Sequence, residues 1–208
     1  MKTTLTVGDL FSSRGRVEVL RVLWGVKVPM TAAEVARRTR LTHPGATSIL
    51  RQFVDYSLAD SAPAGRGHTY WLNRENVYVD TMLDPVFRAE QEIPEMMEEA
   101  IRLDFEGYGP LSIVLFGSYA RGDQNETSDV DVMVVARDSI VKNEIDHDLP
   151  AIIDAFSRTF GATLSVIVYD LEEASLLADR APGLYESVLN DGVSLVGLNI
   201  AEWSSLGT

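Results

Sequence analysis

The feature that most constrains the fold is an apolar run, Leu111 to Phe116, that ends at Gly117-Ser118. Its length and composition predict a strand buried on both faces. A second strand is predicted from Asp129 to Ala136, and it opens with the alternation Asp129-Val130-Asp131. Because successive side chains of a strand point to opposite faces, both carboxylates lie on the same side at its beginning. The pattern predicts a glycine turn on one strand and an acidic pair on the next.

The acidic pair and the glycine turn together predict a site for a metal-bound triphosphate. Two carboxylates held close together repel each other unless a cation offsets their charge. Mg²⁺ (or Mn²⁺), which takes oxygen ligands, is the simplest occupant beside Asp129 and Asp131. Gly117 has no side chain, so a triphosphate can approach the backbone amides, and the Ser118 hydroxyl can bond a terminal phosphate. The cation would bridge these phosphates to the carboxylates and neutralise a departing pyrophosphate.

These residues form the motif GSYARGDQNETSDVDVMVV, with Gly-Ser, then Arg-Gly, then Asp-x-Asp on the next strand. The motif resembles the signature of polymerase-β-like nucleotidyltransferases. The spacing of eleven residues from Ser118 to Asp129 is similar to that of the minimal, antitoxin-type members. The resemblance covers about residues 84–197. It implies Mg-dependent nucleotidyl transfer from a nucleoside triphosphate, with ATP expected, to a protein (toxin-like), nucleic-acid or small-molecule acceptor. The implied catalytic and metal-binding residues are Asp129 and Asp131, and the implied nucleotide-binding residues are Gly117, Ser118 and Arg121.

The sequence is compatible with two roles for Arg121. Its guanidinium can lie near the phosphate or the acceptor, or it can brace the turn through a carboxylate such as Asp123. The sequence favours neither.

One departure from the family pattern concerns a third carboxylate, which active members usually carry on a later strand. The corresponding strand here is predicted from Ala162 to Tyr169, and the aligned position is Ser165. Serine cannot act as a general base and is a weaker metal ligand than a carboxylate. Asp170 lies five residues further on, near the far end of the strand, which makes it a poor substitute. Either this alignment is off, or the site binds Mg-nucleotide and turns it over slowly or not at all.

The first eighty residues predict helices followed by a hairpin. Residues 14–25 place apolar side chains on one helical face, and Gly25 can end that helix. Thr31-Ala32-Ala33-Glu34 has the form of a capping box, which starts a helix running to about Arg40. Thr42-His43-Pro44 starts another helix, because proline is tolerated in a first turn. Residues 59–72 are predicted to form two short strands around the Gly65-Arg66-Gly67 tip.

This order of elements, over roughly residues 12–75, resembles a winged helix-turn-helix domain of the ArsR/MarR type. The resemblance implies that the helix after Thr42 enters a major groove of double-stranded DNA while a basic hairpin tip contacts phosphate. Winged helices also serve as protein-docking modules, so that alternative stays open. The residues expected at DNA are Arg38, His43, Thr47, Ser48, Arg51 and Arg66, with Arg37, Arg40 and His68 adding a sequence-independent electrostatic contribution.

The charge distribution divides the chain in the same way. Residues 1–80 carry 11 Lys/Arg against 7 Asp/Glu, whereas residues 81–208 carry 7 against 24. We therefore predict an α+β protein with an N-terminal winged helix-turn-helix (1–80) and a C-terminal nucleotidyltransferase α/β domain with a small mixed sheet (81–208). A helical join at 84–106 contains Pro94, which should kink it or start a second helix.

The composition excludes sites that need cysteine, and the sequence pattern predicts where the protein is located. The sequence has no cysteine, which excludes disulfides and thiolate metal sites. The first residues lack the pattern of a secretion signal, and no apolar stretch approaches the ~20 residues needed to span a bilayer. We expect a cytoplasmic protein with no membrane partner. A homodimer is plausible by resemblance to winged-helix regulators, although no residue indicates it.

Two functions remain after this reasoning. The first is a nucleotidyltransferase that also binds DNA, for which the acidic second part suits a basic protein or a cationic small acceptor. The second is a DNA-binding transcriptional regulator whose nucleotidyltransferase domain is degenerate and only binds nucleotide or mediates association. Ser165 and the winged-helix pattern favour the second. An antitoxin that represses its own operon would combine both.

Overall fold

The computed structural model describes residues 5–123 and 128–197, and the chain divides into two compact units, Met1–Ile93 and Pro94–Thr208. The division lies inside the predicted helical join. Within the described residues, none of the helices combines the length and the apolar character needed to cross a bilayer.

The first unit consists of helices and one small antiparallel sheet. The sheet has the strand order β1-β3-β2, and β2 and β3 form the predicted hairpin, with Ala64 opposite Gly67. Gly65 at its tip has φ +59°, a conformation that glycine adopts without steric cost. The elements are α1 (Val7–Phe11), α2 (Arg14–Gly25), β1 (Met30–Thr31), α3 (Ala32–Thr39), α4 (His43–Asp55), β2 (Ala59–Ala64), β3 (Gly67–Leu72) and a π-helical turn (Val79–Leu83).

The local signals in this unit act as predicted. The Thr31 hydroxyl accepts from the Glu34 amide while the Glu34 carboxylate accepts from the Thr31 amide, which completes the capping box of α3. Thr42 caps α4, and Pro44 lies in its first turn. The core contains the α4 residues Leu50 and Phe53, both fully buried. These helix predictions are confirmed.

The join is a single helix, α5 (Asp84–Glu106), with Pro94 inside it. The alternative in which Pro94 starts a second helix is therefore wrong. Phe87 is buried in the core of the first unit, whereas Met97 and Ile101, four positions apart on one face of the helix, are buried in the core of the second.

The second unit is built around a four-stranded mixed sheet with the order β6-β5-β4-β7. Strands β4 and β5 pair antiparallel, β4 and β7 pair antiparallel, and β5 and β6 pair parallel. The strands predicted at 111–116 and 129–136 are confirmed within one residue, since β4 begins at Ser112 and β5 at Val130. The strand predicted at 162–169 is confirmed with shifted ends, since it runs from Leu164 to Asp170. The elements are β4 (Ser112–Phe116), α6 (Gly117–Arg121), β5 (Val130–Ala136), α7 (Ser139–Phe160), β6 (Leu164–Asp170), α8 (Leu171–Ser175), α9 (Leu177–Arg180), α10 (Pro182–Asp191) and β7 (Val193–Gly197).

The central strands β4 and β5 are buried on both faces of the sheet. All five residues of β4 are buried, and so are Val130 and Val132 to Ala136 of β5. Each strand has helices packed against it, and apolar clusters lie on both faces of the sheet. A sheet buried on both faces holds the residues at its strand ends in fixed positions.

Candidate functional site

Gly117 lies directly against the carboxylate of Asp131. It follows β4 with φ +76°, and Phe116 is paired with Asp131 across the β4–β5 ladder. A Cβ atom at position 117 would lie 2.5 Å from Oδ2 of Asp131, a distance shorter than normal contact. Glycine is therefore required here for two reasons, namely the left-handed backbone and the close approach of the carboxylate.

Asp129 and Asp131 stand at the beginning of β5, where the alternation places both carboxylates. Asp129 is exposed just before the strand, and Asp131 is half-buried as its second residue. Burial raises the pKa of the Asp131 carboxyl, a hydrogen bond from Ser165 opposes this, and the nearby charge of Asp129 raises the pKa further. The two carboxylates therefore interact, and ionising Asp131 is less favourable here than for a carboxyl group in water.

The register of β5 and β6 places Ser165 directly beside Asp131. Asp170 is paired with Ala136 at the opposite end of the same ladder, and its carboxylate caps α8 by accepting from the Glu173 amide at 2.8 Å. The alignment of Ser165 with the third-carboxylate position is therefore consistent with the register, and Asp170 is remote from the pair. Within 5–123 and 128–197, no group of three His, Cys, Asp or Glu residues could hold a metal ion. Residues 124–127 of the motif lie outside the described part of the chain.

Ser118 and Arg121 both belong to the short helix α6 that follows the glycine. Ser118 is half-buried in the first turn. Arg121 is exposed, and its guanidinium donates from Nε to Asp123 at 3.2 Å and from Nη1 to Asp191 at 3.0 Å. These two carboxylates raise the pKa of Arg121, Asp191 more strongly than Asp123. These contacts match the interpretation in which Arg121 braces the turn through a carboxylate, and a contact of Arg121 with phosphate stays a prediction.

The residues predicted to contact DNA fall into three places on the first unit. His43, Thr47, Ser48 and Arg51 line one shallow depression on α4, where the Thr47 hydroxyl donates to the backbone carbonyl of His43 at 2.8 Å. Arg38 lines a different depression at the end of α3, together with Arg14 and Arg40. Arg66 is exposed at the hairpin tip.

The structure adds residues that the sequence pattern did not single out. Asp191 joins Arg121 across 70 positions of the chain, and no local signal could have indicated that pair. Arg16 is 7% exposed in the first unit, donates to Gln52 at 2.7 Å and lies over the Phe53 ring. Its Nε and Nη2 atoms are buried without a hydrogen-bond partner, and burial lowers its pKa.

Comparisons with known proteins point to one kind of domain. Residues 97–191 match the family model described as Nucleotidyltransferase domain. Two relatives from Methanocaldococcus jannaschii share the name "Putative protein adenylyltransferase". One, MJ1305, is 34% identical over 91 residues, which are 42% of this chain and 61% of that protein. The other, MJ1215, is 51% identical over 43 residues, or 21% of this chain and 50% of that protein. The chain thus spans between half and two thirds of the length of these relatives.

Two solved structures also overlap with the chain. One is a crystal structure of a toxin–antitoxin with AMP-PNP, which has a TM-score of 0.35 and 23% identity over 53% of this chain and 80% of the other. The second is a mutant of the MntA–HpeT toxin–antitoxin, which has a TM-score of 0.34 and 22% identity over 52% of this chain and 85% of the other. The family match and the adenylyltransferase relatives support a nucleotidyltransferase domain at residues 97–191.

Proposed function

We propose that the second unit transfers a nucleoside monophosphate, with ATP as the expected donor, to an acceptor hydroxyl on another molecule. The observation that carries the proposal is the packing of Gly117 against Asp131, beside Asp129, inside the segment that matches the nucleotidyltransferase family. A glycine turn that approaches a pair of carboxylates is the arrangement that a metal-bound triphosphate needs.

The donor atoms fit a hard divalent cation. Asp129 and Asp131 offer carboxylate oxygens, and the pKa of Asp131 is raised by burial and by Asp129, so a cation would relieve this unfavourable charge. Mg²⁺ is usually held by one or two carboxylates together with substrate phosphates. Two carboxylates therefore suffice for a cation that arrives with the nucleotide. When bound, Mg²⁺ (or Mn²⁺) neutralises charge on the phosphates as the leaving group departs.

The residues of this chain bind and orient the reactants. On this proposal the backbone at Gly117 and the hydroxyl of Ser118 receive the phosphates, and Asp129 and Asp131 would hold the cation beside them. In the reaction, the acceptor oxygen forms a bond to the α-phosphorus while the bond from that phosphorus to the β-bridging oxygen breaks. The electron pair leaves with pyrophosphate, and the acceptor proton passes to solvent. The expected acceleration of the reaction comes from the orientation of the reactants and from charges placed beside the phosphates.

A protein is the acceptor class we propose first, because the relatives are named as protein adenylyltransferases. Residues 81–208 carry 24 Asp/Glu against 7 Lys/Arg, which suits a basic acceptor, such as a basic toxin-like protein. Nucleic-acid and small-molecule acceptors are the alternatives that the assay must separate.

The test is label transfer. The purified protein is incubated in host lysate with Mg²⁺ and each α-labelled nucleoside triphosphate in turn. A labelled species that disappears in Asp129→Ala/Asp131→Ala, but persists in the exposed-surface control Asp146→Ala, identifies the nucleotide and the acceptor class. Equal labelling by the wild type and the double variant would sink the proposal.

A second function, DNA binding by the first unit, is supported by the order of its elements and by the exposed side chains of α4. His43, Ser48 and Arg51 are solvent-exposed on one helix, and Arg66 is exposed at the hairpin tip. On this proposal the first unit is a winged helix-turn-helix of a transcriptional regulator, which can act as a homodimer. If the transferase site only binds nucleotide, as Ser165 would favour, DNA binding would be the main activity.

Single substitutions in the two units distinguish the two functions. Arg51→Ala should weaken operator binding and reduce the slope of log affinity against log salt by about 0.9 for one lost phosphate contact, while sparing label transfer. Asp129→Ala should do the reverse. Arg158→Ala, which removes an exposed arginine from α7, serves as the charge-matched control. Unchanged DNA affinity and salt slope in Arg51→Ala would refute the placement of α4 at DNA.

A further inference from the structure

The Asp131 carboxylate is confined by two neighbours that come from different strands. On the β4 side, the missing side chain of Gly117 leaves only enough space for Oδ2 of Asp131. On the β6 side, Ser165 is its direct partner in the parallel ladder, so the two side chains lie next to each other on one face of the sheet. The Ser165 hydroxyl also lowers the pKa of the Asp131 carboxyl, as a hydrogen-bond donor does. The carboxylate is therefore bounded on both sides of its own strand.

A hydrogen bond between these neighbouring side chains has only one possible direction. Ionised Asp131 can only accept, so the Ser165 hydroxyl must be the donor. A hydroxyl donating to a carboxylate forms a charge-assisted bond, which is stronger and more directional than a neutral one. It also adds no charge to a pair of carboxylates that already repel. An ionised carboxylate at position 165 would do the opposite, because it cannot donate and would add a third negative charge.

We infer that Ser165 is a positioning residue that fixes the orientation of the Asp131 carboxylate, so that Asp131 and Asp129 present their oxygens to one divalent cation. The inference rests on the proposed function of this site. Position 165 is then an adapted part of a two-carboxylate site and not a decayed third ligand. Partners that hold metal-binding side chains in place commonly change metal affinity by 10- to 100-fold when they are removed.

The experiment measures Mn²⁺ binding by electron paramagnetic resonance, in the presence of a non-hydrolysable ATP analogue, so that no turnover is required. Ser165→Ala should weaken Mn²⁺ binding about tenfold. Ser165→Thr keeps the hydroxyl and suits a strand, so it should bind within about twofold of the wild type. Ser175→Ala is the matched control, because that hydroxyl donates to the backbone carbonyl of Glu172 and lies on α8. Thermal unfolding midpoints establish that the variants are folded.

The outcomes separate the inference from the proposed function. Weak binding in Ser165→Ala with recovery in Ser165→Thr supports the inference, even if the wild type transfers no label, in which case only the proposed transfer fails. Wild-type affinity in Ser165→Ala overturns the inference. Equal losses in the alanine and threonine variants overturn it too, because the hydroxyl is then irrelevant. Absence of Mn²⁺ binding in the wild type also overturns it, since a site without a cation has no need of an oriented carboxylate.

Discussion

Substituting Gly117 by alanine tests the close approach on which the candidate site depends. Two costs follow from the geometry. The first is the left-handed backbone at φ +76°, which costs a non-glycine residue about 1–2 kcal/mol. The second is the clash of the new methyl group, 2.5 Å from Oδ2 of Asp131. The carboxylate must retreat by roughly 1 Å to reach ordinary contact, and forcing atoms into filled space typically costs about 1–3 kcal/mol.

Gly122→Ala provides the matched control. Gly122 ends the same short helix with φ +71°, and a Cβ atom there meets nothing within 4 Å. The two variants therefore share the backbone cost, and only Gly117→Ala has the clash. We expect the free energy of unfolding to fall by about 1–3 kcal/mol more in Gly117→Ala than in Gly122→Ala.

The assay is urea unfolding combined with Mn²⁺ binding and label transfer. Because a shift of about 1 Å in a catalytic group can cost about a hundredfold in rate, Gly117→Ala should lose transfer to that extent. Gly122→Ala should retain Mn²⁺ affinity. Equal stability losses in the two variants, together with equal Mn²⁺ affinity, would refute the reasoning, because the carboxylate would then not be confined by Gly117.

Three further predictions concern single contacts of the same unit or of the first unit. Burial raises the pKa of Asp131, so the contribution of this carboxyl to stability is present below the unfolded pKa of about 4 and is lost as pH rises through the folded pKa. Asp131→Asn should therefore be more stable than the wild type at pH 7, and the difference should shrink towards pH 4 in urea titrations. An equal difference in the free energy of unfolding at both pH values would contradict this. If Arg121 contacts phosphate in the complex, Arg121→Ala should raise the KM for the nucleotide, while Asp191→Asn should leave the KM unchanged. Equal changes of KM in the two variants would indicate that Arg121 only braces the turn. Leu50→Ala removes a fully buried side chain of the first unit and should cost about 2–5 kcal/mol of unfolding free energy. The control Asp55→Ala, at an exposed position of the same helix, should change the free energy of unfolding little. A cost below about 1 kcal/mol in Leu50→Ala would contradict the burial of α4.

The sequence by itself determined the features that depend on short stretches of chain. The apolar run before Gly117 specified a buried strand, and the alternation of Asp129 and Asp131 placed two carboxylates on one side of the next strand. The capping box at Thr31 and the proline after Thr42 specified where α3 and α4 begin. Each of these signals acts between residues at most six positions apart, so the backbone geometry of one element is enough to interpret them.

Only the tertiary structure decided which of these elements meet and at what distance. The contact of Gly117 with Asp131, the register that sets Ser165 beside Asp131, and the pair of Arg121 with Asp191 join residues 14, 34 and 70 positions apart. The unpartnered nitrogens of Arg16 are likewise a result of packing between helices. Strand register and helix packing are fixed by the fit of whole buried surfaces, and no local pattern carries that information.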